Sequence, residues 1–148
     1  MPGSPIDPDV DLHDPEERAE LRPSAVPVLA AISAGGVVGA LTRYAISTAW
    51  PHQVTGFPWA TWTINVTGSF LIGVLMTLIA RFWPHRRLIR PFYGVGVLGG
   101  YTTFSTSMVD VRQAVAHGAP GTALLYLGAT LVGALVAVWA GTLVAGHR

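Results

Sequence analysis

Residues 99–107 read Gly-Gly-Tyr-Thr-Thr-Phe-Ser-Thr-Ser and lie in the middle of a long apolar stretch. Two adjacent glycines before two threonines weaken a helix, by about 1 kcal/mol for each glycine relative to alanine. A broken helix inside a membrane is tolerated only where the freed backbone groups are buried in protein or line a cavity. Residues 99–107 therefore predict a helix that is broken near its middle, at a pore or a binding site.

This stretch interrupts the third of four apolar segments. The segments cover residues 26–49, 59–83, 88–116 and 122–145, and short loops connect them. About 20 helical residues cross the ~30 Å hydrocarbon core of a bilayer, so each segment is long enough to span it. A soluble bundle would need a polar face on every helix, which these segments lack. The sequence predicts an all-α membrane protein with four transmembrane helices in residues 26–148.

The composition fits a chain with little surface in water, since 11% of its 148 residues are charged, against about 25% in typical soluble domains. Seven of the eight acidic residues lie in the first twenty positions, so we expect residues 1–25 to form a disordered acidic tail. No basic stripe indicates a nucleic-acid partner. No pairing of a nucleophile with a base and no metal-binding cluster indicates an enzyme.

The nine arginines are distributed unevenly between the two sides of the predicted membrane. Only Arg43 and Arg112 fall on the side opposite the termini. By the positive-inside rule we expect cytoplasmic termini, with the protein in the inner (plasma) membrane. The seven arginines on the side of the termini are Arg18, Arg22, Arg81, Arg86, Arg87, Arg90 and Arg148.

The interrupted stretch carries groups that suit ion binding. Carbonyls released at a break can bind a cation, as in the discontinuous helices of transporters. The hydroxyls of Ser105 and Thr106 can donate to an anion, and Phe104 offers the positive edge of its ring. A single hydroxyl is better explained by a bond to its own helix backbone, but a cluster of hydroxyls after a double glycine favours a site. Further polar groups within the spans are Arg43, Asn65, Tyr126 and Thr130.

Four motifs occur together in the order and spacing of one membrane-protein family. They are residues 35–44 (GGVVGALTRY), residues 63–70 (TINVTGSF), residues 99–106 (GGYTTFST), and Tyr126 with Thr130 one turn later. Through these motifs the chain resembles the Fluc/CrcB family of fluoride channels over about residues 34–141. The acidic tail lies outside the resemblance.

The resemblance implies an antiparallel, dual-pore dimer through which fluoride leaves the cytoplasm passively. It implies that the backbone carbonyls of Gly99 and Thr102 hold a structural Na⁺ at the dimer centre, and that Arg43 attracts anions in a vestibule. The anion pathway that it implies consists of Asn65, Phe104, Ser105, Thr106, Tyr126 and Thr130.

One position departs from the family pattern. Where the family motif ends in a second phenylalanine, this chain has Ser107. Phe104 and Ser107 are three residues apart and share a helix face, so one of two aromatic edges is missing there. The sequence therefore leaves open a second role, as a partner subunit of a heterodimeric channel with a degraded pore of its own.

The arginine distribution bears on the partner as well. An antiparallel homodimer requires one sequence to insert in both orientations, whereas an excess of seven arginines against two fixes one orientation. We therefore expect an oppositely oriented paralogue as partner, in preference to a second copy.

A third reading, a small proton-coupled multidrug exporter, would need a carboxylate within the membrane. Asp110, toward the end of the third span, is the only acidic residue after residue 25, which argues against this reading.

Overall fold

The computed structural model describes residues 25–84 and 86–147, and these are helical without any strand. The predicted disordered tail lies outside the described residues, apart from Ala25, where the first helix begins. The helical elements in chain order are α1 (Ala25–Ala49), α2 (Trp59–Phe82), a π-helical segment (Arg90–Leu98), α3 (Gly99–Tyr101), α4 (Ser105–Ala116) and α5 (Pro120–Gly146).

Three of these helices, α1, α2 and α5, are long and apolar enough to cross a membrane unaided. The third crossing is instead assembled from the π-helical segment, α3 and α4, with an interruption at residues 102–104. The predicted all-α membrane fold, with a third helix broken near its middle, is therefore confirmed. The chain is a multi-pass membrane protein.

Prolines and one glycine set the ends of the helices. Helix α1 ends at Ala49, shortly before Pro51, which has no backbone N–H to donate. Pro58 precedes α2, and Pro120 is the first residue of α5, a position where the missing N–H costs little. Gly118 has a φ of 81°, which favours glycine, and it turns the chain from α4 toward α5.

The π-helical backbone was not predicted. The sequence indicates an ordinary α-helix from residue 88, whereas the structure has π-helical bonding over Arg90–Leu98. Pro91 removes one backbone donor at the start of this segment. π-Helical turns are rare and occur frequently at functional sites, and this one leads directly into the broken part of the third span.

Helix α1 packs against the π-helical segment and α3 along a seam of glycines. A Cβ atom added to Gly39 would collide with the carbonyl of Val97, and one added to Gly100 would collide with the carbonyl of Gly36. Small residues allow two membrane helices to approach to backbone contact, which strengthens their packing. The glycines of this seam, two on each side, are Gly35, Gly39, Gly96 and Gly100.

Helix α2 packs mainly against α5, and glycines again permit the contact. Gly73 faces the carbonyl of Val138, and Gly141 faces the carbonyl of Phe70. Helix α4 lies against α5 as well. The broken third span therefore lies between α1 on one side and the packed helices α2 and α5 on the other.

The glycine seam yields a stability prediction. We expect Gly39→Ala to lower the free energy of unfolding by about 1–3 kcal/mol, the usual cost of overpacking, because its methyl group meets the Val97 carbonyl. The matched control is Gly36→Ala, whose methyl group would have no heavy atom within 4 Å. Thermal unfolding of the purified variants in detergent measures the difference. Equal stability of the two variants would contradict the close packing described for this seam.

Candidate ion site at the broken helix

The third span is interrupted between α3 and α4 by a defined turn. Thr102, with φ −76° and ψ 157°, is extended and ends α3. Its amide and its hydroxyl both donate to the carbonyl of Leu98, each at 2.9 Å. Helix α4 begins at Ser105, and the Thr103 hydroxyl accepts the amide N–H of Thr106 at 3.2 Å, as a capping residue does. Threonine side chains therefore hold both ends of the turn.

Asn65 of α2 binds this turn with both ends of its side-chain amide. The Thr103 amide N–H donates to Asn65 Oδ1 at 2.9 Å, and Asn65 Nδ2 donates to the Thr103 carbonyl at 3.0 Å. The same Nδ2 group also donates to Ser107 Oγ at 3.0 Å. One side chain thus satisfies the N–H and the C=O of the residue at which the helix is interrupted.

The interruption deprives two carbonyls of the amides that a continuous helix would supply. In an α-helix, the Gly99 carbonyl would accept from the Thr103 amide and the Thr102 carbonyl from the Thr106 amide. Here the Thr103 amide donates to Asn65, and the Thr106 amide donates to the Thr103 hydroxyl. Gly99 and Thr102 also line an open groove. Free carbonyl oxygens beside open space are ligands that suit a hard cation.

Ser107 joins the turn to α5. Tyr126 Oη donates to Ser107 Oγ at 2.8 Å, and Ser107 Oγ donates to the Thr103 carbonyl at 3.1 Å. Ser107 is 4% exposed and Tyr126 is 1% exposed, so both lie inside the protein. The ring of Phe57 contacts Tyr126 edge to face, with centroids 5.6 Å apart. Ser107 and Tyr126 therefore belong to a buried polar network that includes Asn65.

Two grooves have Phe104 in their linings. The break groove, about 630 Å³, runs along α2 and the turn and includes Asn65 in its lining. The α4–α5 groove, about 490 Å³, lies between those two helices and includes Ser107 and Tyr126. Phe104 and Thr130 line both grooves, and Phe104 is 75% exposed. A large, exposed apolar side chain thus borders both grooves.

The hydroxyl groups predicted for the anion pathway differ in their surroundings. The Thr130 hydroxyl is buried and has no hydrogen-bond partner within residues 25–84 and 86–147, although it lies beside both grooves. Thr106 is half-buried, and its hydroxyl accepts from the Thr103 hydroxyl at 3.1 Å. Ser105 is exposed at the start of α4 and lines neither groove. The structure therefore brings Phe104 and Thr130 together and leaves Ser105 apart from them.

Arg43 contacts the broken span directly. Its Nε donates to the carbonyl of Gly100 at 3.0 Å, in a half-buried position. This carbonyl belongs to α3, at the end of the first half of the span, where a positive charge complements the helix dipole. Arg43 therefore fastens α1 to the residues just before the turn, a contact that the sequence did not reveal.

Polar contacts around Asp110 were also missed. Thr61 donates its hydroxyl to Asp110 Oδ2 at 3.0 Å, and Asp110 Oδ1 lies 3.8 Å from His52 Nε2. Asp110 is the only acidic residue in the part of the chain that the structure describes. Its partners come from α2 and from the loop before it, so no local spacing in the sequence could have connected them.

Comparison with known proteins gives one consistent result. Residues 30–142 match the family described as CrcB-like protein, Camphor Resistance (CrcB). The chain is 47% identical over 130 residues to "Fluoride-specific ion channel FluC 2" of Streptomyces avermitilis, a match that covers 88% of this chain and 82% of that one. It is 51% identical over 124 residues to "Fluoride-specific ion channel FluC 2" of Nocardia farcinica, covering 84% and 89%. Streptomyces avermitilis has a further relative, "Fluoride-specific ion channel FluC 3", 45% identical over 91 residues and covering 62% and 45%.

The hydrogen bonds of Asn65 yield a prediction about the turn. Asn65→Ala leaves the half-buried N–H of Thr103 without a partner and removes one of the two hydrogen bonds to its carbonyl, which still accepts from Ser107 Oγ. An orphaned N–H costs about 1–3 kcal/mol of folding stability. A suitable control is Thr77→Val, which removes a hydroxyl that bonds only the Gly73 carbonyl of its own helix, at 2.9 Å. Thermal unfolding in detergent should show a much larger loss for Asn65→Ala. Similar losses for both variants would mean that Asn65 does not hold the turn.

Proposed function

Because the chain belongs to the CrcB family, we propose that it is a subunit of a fluoride-selective ion channel. The channel lets fluoride leave the cytoplasm passively and so lowers its toxicity. The observation that carries this proposal is the turn in the third span, where Asn65 holds the backbone beside an exposed Phe104 and a Thr130 hydroxyl that has no hydrogen-bond partner among the described residues. The names of the relatives, all fluoride-specific ion channels, support the choice of ion.

The anion pathway follows from the donors along the two grooves. Fluoride is a small, strongly basic anion that accepts hydrogen bonds from hydroxyl and amide groups, and it can also rest against the positive edge of an aromatic ring. Phe104 and Thr130, which line both grooves, offer such an edge and such a donor. We assign to the pathway the groove-lining residues Asn65, Phe104, Tyr126 and Thr130, and from the resemblance alone also Ser105 and Thr106, which line neither groove.

A structural Na⁺ is part of the proposal. The carbonyl groups of Gly99 and Thr102 fit such an ion, because the helix amides that would occupy them are bonded to side chains and both residues line an open groove. Carbonyl oxygens are the ligands that Na⁺ takes at unwound membrane helices. When bound, the ion supplies a fixed positive charge. The chain's own contribution is to hold the turn extended, through Asn65 and Thr103.

Arg43 also has a part in the proposed channel. We assign it to a vestibule, where its guanidinium attracts anions toward the grooves. Its bond to the Gly100 carbonyl keeps that charge next to the turn, which is the place where an anion has to arrive.

The partner that we propose is a second subunit in the opposite orientation. The break groove is open to one side of the chain, and Gly99 and Phe104 are exposed along it, so the site is incomplete within one subunit. An oppositely oriented paralogue suits the arginine excess better than a second copy. Streptomyces avermitilis carries two numbered relatives, which supports the occurrence of paralogous subunits in one organism. We further propose cytoplasmic termini and residence in the inner membrane.

A second role, as a partner subunit with a degraded pore of its own, is favoured by Ser107. In the family motif this position carries an aromatic ring, whereas here a buried serine bonds to its neighbours. The assembly would then conduct mainly along the path that the partner subunit completes. Both roles place the chain in a fluoride channel.

Ion flux tests the proposal. Vesicles that contain this chain, alone and together with a paralogous FluC chain, should release trapped fluoride and retain chloride, and release should be faster with the paralogue. A fluoride-selective electrode and a chloride electrode measure the two ions. Equal release of both ions, or proton-coupled uptake of a cation without fluoride release, would overturn the proposed function.

A matched pair of variants connects the flux to the grooves. Phe104→Ile keeps an apolar side chain but removes the ring edge, so we expect it to slow fluoride release. Phe82→Ile removes another exposed ring, at the end of α2 and away from the grooves, and should leave release unchanged.

Orientation can be tested with single cysteines, because the chain has none of its own. Gln53→Cys labels the loop between α1 and α2, and His147→Cys labels the residue after α5. In intact cells, a membrane-impermeant maleimide should reach residue 53 but not residue 147, because the arginine excess keeps the termini in the cytoplasm. Labelling of both positions in part of the molecules would indicate dual insertion and a homodimer.

A further inference from the structure

The Ser107 hydroxyl lies at the centre of the buried polar network and has an unusual set of partners. Its oxygen accepts one hydrogen bond from Tyr126 Oη at 2.8 Å and a second from Asn65 Nδ2 at 3.0 Å. These two donors come from different helices, α5 and α2, and converge on a single atom. Little of the site is open to solvent, since Ser107 is 4% exposed and Tyr126 is 1% exposed, although both residues line the α4–α5 groove.

The donors around Ser107 are all in use. Asn65 Nδ2 has two hydrogens, and they go to the Thr103 carbonyl and to Ser107 Oγ. The single hydrogen of Tyr126 goes to Ser107 Oγ, and the single hydrogen of Ser107 goes to the Thr103 carbonyl. Every donor in the network therefore ends on the serine oxygen or on a backbone carbonyl. No N–H or O–H of these three side chains is left for a passing ion.

A serine oxygen that accepts two converging donors has the environment of a small bound anion. A hydroxyl oxygen and a fluoride ion are similar in size, and both accept hydrogen bonds at such distances. Chloride is distinctly larger and would not fit the same space in a closely packed interior. The two donors are residues that we assign to the anion pathway, Asn65 and Tyr126.

We propose that the Ser107 hydroxyl oxygen occupies a position that could otherwise bind fluoride. It thereby closes the path through this subunit beyond Phe104 and Thr130. This inference rests on the proposed function, since it assumes that the two donors can serve fluoride. The ion can approach along the break groove as far as Phe104 and Thr130, whose buried hydroxyl has no hydrogen-bond partner in the part of the chain that the structure describes. To reach Tyr126, the ion would have to displace the Ser107 hydroxyl, which is part of the chain itself. The subunit therefore contributes to an assembly whose conducting path is completed by a partner.

The test is to remove the competitor. Ser107→Ala leaves a space of about one oxygen atom, with the Tyr126 hydroxyl and the Asn65 amide directed into it. We expect this variant to gain a saturable, fluoride-dependent rise in Tm that exceeds any rise in the wild type, because a ligand that binds only the folded state stabilises it. Chloride should give no such gain. The measurement is thermal unfolding in detergent, with NaF replacing NaCl at constant Na⁺ concentration.

Two controls accompany this variant. Ser33→Ala makes the same substitution on the exposed face of α1 and should show only the response of the wild type. The double variant Ser107→Ala/Tyr126→Phe removes one of the two donors and should lose most of the gain. A gain that persists in the double variant, or no gain at all in Ser107→Ala, would overturn the inference.

A measurement on the unaltered protein covers the case in which Ser107→Ala does not fold. In the wild type, the ring NMR signals of Tyr126, which does not line the break groove, should stay unmoved as fluoride is added, because its one O–H is bonded to Ser107 Oγ. A saturable shift of these signals with fluoride would show that the ion reaches Tyr126 past Ser107 and would overturn the inference.

Flux separates this inference from the proposed function. In vesicles that contain the chain alone, Ser107→Ala should release fluoride several-fold faster than the wild type. If the wild type already releases fluoride as fast as Ser107→Ala, the inference fails while the channel function stands. If no preparation releases fluoride, yet Ser107→Ala still gains the fluoride-dependent Tm, the channel function fails while the occupied anion position stands.

Discussion

A backbone group that loses its helical partner inside a bilayer has to find another, and in this chain one side chain supplies it. Asn65 accepts from the amide of Thr103 and donates to its carbonyl, so both groups of the interrupted residue are satisfied at once. Without this pair of bonds the third span would gain by returning to a continuous helix, which would close the groove and cover its free carbonyls. The geometry of the site depends on a contact between two different spans.

The remaining contacts of the turn follow from this constraint. Once the Thr103 amide is taken by Asn65, the Gly99 carbonyl is released, and once the Thr103 hydroxyl caps α4, the Thr102 carbonyl is released as well. Arg43 approaches from α1 and donates to the carbonyl of Gly100, the residue after Gly99. The glycine seam with α1 brings Arg43 close enough to do so, because side chains larger than hydrogen would separate the two helices there.

The sequence predicted the four spans and the interruption well, because both rest on local composition. Long apolar stretches and a double glycine followed by threonines are readable without any knowledge of tertiary contacts. The π-helical segment was missed, because a hydrophobic stretch does not indicate whether each amide bonds the carbonyl four or five residues before it. The networks around Ser107 and Asp110 were missed for another reason. The hydrogen bonds that join different helices in these networks connect residues 19, 42 and 49 positions apart, and only packing decides how each helix is rotated about its own axis.

Position 107 differs from the family motif, and its hydrogen bonds show what the difference does. By resemblance, the position is a lost aromatic ring. In the structure it is a hydroxyl that gathers donors from α2 and α5. The motif could identify which residue departs from the pattern, but the consequence of the departure depends on the neighbours that a smaller, polar side chain can reach.

The link between α2 and the turn also connects the site to the lipid around it. Trp59 and Trp83 lie at the two ends of α2 and are 50% and 44% exposed, as suits side chains that anchor a helix at both membrane surfaces. A helix anchored in this way adapts to a thinner or thicker bilayer by changing its tilt. Since Asn65 is a rigid part of α2, a change of tilt displaces the amide that holds Thr103. We therefore expect the spacing of the carbonyls at the turn to depend on bilayer thickness, which would make lipid composition a variable of the proposed ion site.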